Sequence, residues 1–185
     1  MYDEEKAAQA AAFLLSRAKG KLYLLSLVKL MYLSERLSFE RYGVPLTGDS
    51  LVSMDYGPVL STTLNHMNGA IRSKENGWDS WVSDRADHMV ALRDGVVGDT
   101  PENDLMALSD SDLEVLGEVW ARFGHMSRWD LVKYTHTLPE WKDPRGSSMS
   151  IEFDDLFKAI GFSSDVSDDL RRRIVAERNI NLAFA

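Results

Sequence analysis

The chain contains no cysteine. That absence removes disulfides, thiolate zinc sites and a cysteine nucleophile together, and it makes a reduced cytoplasm the expected setting. Long hydrophobic runs are missing too: nothing approaches the roughly 20 apolar residues that span a bilayer as a helix. The opening Asp3-Glu4-Glu5 has the wrong sign for a signal peptide, so no membrane partner is expected. Positive charge is scarce: 21 Lys and Arg against 29 Asp and Glu give −8. Seven bases and five acids fall in residues 1–42, a balance of +2, which leaves −10 for the remainder. Such a surface repels phosphate backbones, so nucleic acid is a poor partner and a basic or mixed-charge protein a better one.

With 44% hydrophobic and 27% charged residues the composition is that of an ordinary globule. A length of 185 residues fits one domain over 1–185. The predicted class is α+β: mainly α with a small antiparallel β-hairpin or sheet, arranged around a central buried helix.

Caps and periodicity divide the chain. Asp3 starts a helix that runs to Lys19, and Gly20 ends it; its small-sided middle, Ala7 to Ala12, permits close approach of a second helix. Lys21 to Tyr42 reads as that second helix, stopped by Gly43 and Pro45. Apolar residues occupy most of its circumference, with Lys29, Arg36 and Glu40 on one narrow stripe, so it should be the central helix. Leu51 to Met54 suggests a short strand, and Gly57-Pro58 a turn straight into a helix, proline being suited to the first helical position. Trp78 to Val97 reads as an antiparallel hairpin or meander. Thr100-Pro101-Glu102 is a polar link. Ser109 to Gly124 and Ser127 to Thr137 are amphipathic helices, with Ser111/Glu114 and Ser127/Asp130 placed as caps. Asp143 to Gly146 is a loop, and two short helices, Phe153 to Ile160 and Ser167 to Arg178, pack on the rest.

The search for chemistry finds little. Gly48-Asp49-Ser50-Leu51 has the signature letters of an esterase and lipase family, whose catalytic histidine follows an aspartate by three positions. Those positions here hold Thr63, Arg85, Arg122 and Lys133, and a serine without its base is inert. No two of the four histidines share a helical face at i, i+4, so no metal site is expected. Arg171-Arg172-Arg173 follows Asp165, Asp168 and Asp169, the order a helix dipole favours. No catalytic residue, metal or cofactor is assigned, and the residues alone describe a helical domain without reactive apparatus.

Several segments together carry a resemblance. Lys29-Leu30-Met31-Tyr32-Leu33 is followed by Arg41-Tyr42-Gly43, by Pro45-Leu46-Thr47-Gly48-Asp49, by Met54 and Gly57-Pro58-Val59, and later by Thr135-His136 and Trp141. Over about residues 24–145 this order resembles the Panacea domain of SocA-like and GepA-like phage-associated proteins. The resemblance implies an antitoxin, not an enzyme, that neutralises a cognate protein toxin encoded by an adjacent gene. Two modes are open: direct occlusion, or delivery of the toxin to an ATP-dependent protease as a proteolytic adaptor, with the small apolar tail Asn181 to Ala185 as a docking or degradation signal. A phage regulatory factor or an unrecognised hydrolase using Ser50 stand behind these. Leu30, Met31, Gly57, Pro58 and Trp141 read as structural motif residues. Candidate partner-binding residues are Lys29, Tyr32, Arg36, His136 and the aromatic pair Trp78 and Trp81. Lys29, Tyr32 and His136 suit scaffold and interface alike. Trp78 and Trp81 stand an odd number of residues apart, so on a strand one of them would face outward.

Overall fold

Helix α2 (Leu24–Tyr42) is the axis around which the other elements gather, touching α1 (Glu4–Arg17), α5 (Asp110–Phe123), α6 (Arg128–Thr135), α7 (Phe153–Ala159) and the strand β3 (Gly57–Leu60). The computed structural model describes residues 1–83, 86–98 and 103–183. Within them the chain is mainly α with two small antiparallel sheets, as the composition and periodicity indicate. The polar link at Thr100 to Glu102 and the last two residues of the tail lie outside the described residues, as do the side chains of Asn181, Leu182 and Ala183.

Sequence caps set most helix ends. Asp3 accepts the Lys6 amide and starts α1, while Ser127 does the same for Asp130 at α6. Gly43, at φ 67°, takes the left-handed conformation that ends α2 and returns its amide to Phe39. The capping box of α5 sits two residues earlier than expected: Ser109 and Asp112 exchange bonds, not Ser111 and Glu114. α1 buries its alanine run and lies close against α2, filling the core with Phe13, Leu14 and Leu15. Phe39 of α2 meets Phe153 and Phe157 edge-on, which seats α7. The last helix, α8 (Ser164–Ala183), is longer than its periodicity suggests.

Three assignments change, each because a distant partner overrides local preference. Lys21–Tyr23 is not the first turn of α2 but strand β1, paired with β4 (Met89–Ala91), Leu22 opposite Val90. Gly57-Pro58 does not open a helix: β3 pairs with β2 (Leu51–Met54), and α3 (Ser61–Met67) begins after it. The two-residue β5 (Met149–Ser150) completes the order β3-β2-β5. The expected hairpin over Trp78 to Val97 keeps only part of its character. Bridges join Val82 to Leu92 and Ala86 to Met89, whereas Trp78–Trp81 is a short helix, α4.

Candidate functional site

The proline in β3 explains the first cluster. Ser61 donates to Ser50 O, so alternation along the ladder puts Pro58, opposite Ser53, at a pair that exchanges no bonds. No donor is missed there, and the Pro58 carbonyl points away from β2. Lys29 Nζ, on a fully buried side chain of α2, donates to that carbonyl at 2.8 Å. Burial holds the ammonium down from 10.5 to about 7. Lys29 is therefore not on a polar stripe beside Arg36: it caps the outer edge of β3 from below.

Gly57 is wedged into the same place at φ 95°. A Cβ on it would lie 2.6 Å from Thr135 Oγ1, 3.2 Å from Lys29 Nζ and 3.3 Å from His136 Cδ2. His136, at the end of α6, stacks on Trp141 with centroids 4.1 Å apart. Its buried Nε2 has no hydrogen-bond partner among the described residues. Trp141 Nε1 donates to Met54 O at 3.1 Å, closing the ring back onto β2. One and two helical turns on from Lys29, Tyr32 Oη and Arg36 Nε both donate to Glu140 Oε1, at 3.0 and 2.8 Å. Tyr32 and Glu140 are buried, and burial beside that carboxylate raises the Tyr32 phenol well above its ordinary value. Arg36 is half-buried and also reaches Glu40. Leu30 and Met31 are buried in the core.

Two further buried carboxylates tie loops down. Glu35 of α2 accepts from the Thr47 amide and hydroxyl and from the Gly48 amide. Its burial nevertheless pushes it up from 4.5 to about 7. Glu4 Oε1 accepts the amides of Lys74 and Trp78 and the Ser73 hydroxyl. This is what folds α4, and it changes the reading of the tryptophans. On a helix residues three apart share a side; Trp78 is buried and Trp81 is half-buried against the core. Trp78, Lys29 and Tyr32 thus have no outward face in this structure. Ser50 lies in a cleft of about 480 Å³ whose lining contains no histidine. Its neighbour Asp49 is occupied in accepting the amides of Thr62 and Thr63 at the start of α3.

The exposed chemistry lies elsewhere. Beside the β2–β3 turn is an open groove of about 400 Å³ lined by Tyr23, Leu24, Leu25, Tyr56, His88, Arg128 and Trp129. Tyr56 is 59% exposed, Trp129 48% and Tyr23 43%. The Tyr56 and Trp129 rings stand 6.0 Å apart. The Arg128 guanidinium covers Tyr23 at 4.2 Å and approaches Trp129 at 5.4 Å. Sequence reading missed this groove. The available signal was an aromatic, Trp129, set off the face on which α6 buries Leu131, Val132 and Thr135.

Among the described residues no helix is long and apolar enough to cross a membrane, and no group of acidic or histidine side chains could hold a metal ion. A polar network thus locks helix ends to a small sheet, beside an aromatic groove with a stacked arginine. A family model for the antitoxin SocA-like, Panacea domain matches residues 27–142, and the chain belongs to that family. The match takes in the whole Lys29–Gly57–His136–Trp141 network. A comparison with curated proteins finds no match, and one with solved structures finds none.

Proposed function

We propose that the protein is an antitoxin that acts in the cytoplasm by binding its cognate toxin directly, without chemistry of its own. Family membership supports the antitoxin role. The observation that carries direct binding is the groove, because Tyr, Trp and Arg are the residues enriched where protein interfaces concentrate their energy. A specific interface needs roughly 800 Å² per partner, and the groove with its surroundings can form the centre of such an area. The toxin is the product of an adjacent gene and, facing a surface of net charge −8, carries basic or mixed charge.

Co-expression tests the reading. The neighbouring toxic product should co-purify with this protein in a stable complex, and growth should be restored while toxin levels stay constant. Restored growth with a shortened toxin lifetime, dependent on an ATP-dependent protease, would favour the adaptor mode. No complex at micromolar concentration and no protection would overturn the antitoxin reading itself.

A further inference from the structure

The groove has a specific charge pattern. Arg128 is stacked between two aromatic rings and has no carboxylate partner among the described residues. Five other surface arginines are held by carboxylates: Arg41 and Arg122 by Glu118, Arg171 by Asp154 and Asp168, Arg172 and Arg173 by Asp169. Stacking on Tyr23 and Trp129 uses the guanidinium faces and leaves its in-plane N–H groups available, the geometry that grips a carboxylate. Three exposed aspartates are chain neighbours of lining residues: Asp55 of Tyr56, Asp87 of His88 and Asp130 of Trp129, with Asp55 also accepting the Gly146 amide and Asp130 also paired with Lys133. The groove is thus apolar and aromatic, with one cation that has no carboxylate partner among the described residues and three aspartates next to its lining residues in the chain.

We infer that this groove docks a segment of a partner protein in which an aromatic or large aliphatic side chain stands next to a carboxylate, flanked by basic residues. The apolar side chain enters between Tyr56, Trp129 and the Leu24–Leu25 floor, the carboxylate meets Arg128, and the basic flanks face the aspartates. A space of about 400 Å³ is large enough for one bulky side chain and open at the surface, which suits a segment of a protein. The pattern also gives selectivity. A uniformly basic segment meets Arg128 repulsively, and a uniformly acidic one meets the three aspartates and the net charge of the whole surface. The inference rests on the direct-binding reading above, and its test is independent of the toxin.

The probe is a displayed library of random peptides of about twelve residues, selected against the immobilised full chain. Enriched peptides should pair an aromatic or large aliphatic residue with Asp or Glu, with Lys or Arg nearby. Trp129→Ala should weaken their binding by about tenfold or more, and Arg128→Glu should shift enrichment toward a basic residue in the carboxylate position. Should Arg128→Glu fail to give an intact thermal transition, Arg128→Gln removes the charge with less disturbance and should abolish the preference for a carboxylate. Absence of enrichment, enriched peptides without a carboxylate, or binding indifferent to both variants overturns the inference. So does sedimentation showing a dimer that Trp129→Ala dissociates, since a second copy would then be the occupant. If peptide selection succeeds while co-expression shows no protection, the groove stands and the antitoxin reading fails. If protection persists in Trp129→Ala and Arg128→Glu, the reverse holds.

Discussion

Tyr56 and Gly57 are neighbours in the chain and belong to two regions of opposite character. Gly57 faces inward onto Thr135, Lys29 and His136, where there is no space for a single methyl group. Tyr56 faces outward, 59% exposed, toward Trp129. The inner region is polar yet buried, and each of its members is fixed by a partner from a distant part of the chain. The outer region is aromatic yet open, and its cation has no carboxylate partner among the described residues. The motif residues hold a turn and a helix end in place; what they hold in place is the groove. On the proposed reading the most recognisable letters of this sequence belong to the support, and the contact chemistry to residues beside them.

Substitutions should separate the two regions. The largest loss is expected for Gly57→Ala, which combines a strained positive φ with overpacking against Thr135 and Lys29; urea unfolding should show about 3–5 kcal/mol. Glu140→Ala strands the buried Tyr32 hydroxyl and the half-buried Arg36, for about 2–3 kcal/mol by the same measurement. Trp129→Ala and Arg128→Glu should change stability by no more than about 0.5 kcal/mol while weakening partner binding strongly. A destabilisation as large as that of Gly57→Ala at Trp129 would erase the distinction between the regions.

Two buried titrations sharpen the inner half of the comparison. Folded Glu35 keeps its proton up to about pH 7, whereas an unfolded carboxyl loses it near 4.5. The native state binds more protons in that window, so this residue makes stability fall as pH rises through it. Folded Lys29 releases its proton near pH 7, whereas the unfolded ammonium keeps it to about 10.5. There the unfolded state binds more protons, so stability rises with pH. Together the two groups put a minimum near neutrality. Melting midpoints against pH should show it. Glu35→Gln should flatten the acid limb and Lys29→Met the alkaline one.

How much of this the sequence discloses depends on distance along the chain. Asp3, Gly43 and Ser127 act within a turn of themselves, and each ends or starts a helix where local rules place it. Lys21–Tyr23 continues the apolar pattern of α2, yet its hydrogen bonds go to Met89–Ala91, and no local signal carries that. Pro58 obeys a rule for helix starts and equally a rule for strand positions that need no donor; only the ladder with β2 chooses between them. By periodicity Lys29 falls on one stripe with Arg36 and Glu40, where a lysine suits scaffold and interface alike. Its burial goes with a distant acceptor, the Pro58 carbonyl that the ladder turns away from β2. The motif residues were found because they recur as letters, and the groove was not, because Tyr23, Tyr56, Arg128 and Trp129 come from three separate segments.

Hydrogen exchange on the complex with the toxin tests the central claim most directly. Binding at the groove should slow exchange at residues 23–25, 55–57 and 126–131, while amides of α2 around Tyr32 and Arg36, already buried, change little. New protection confined to α8 or to the β5 edge, with the groove exchanging as in the free protein, would contradict it.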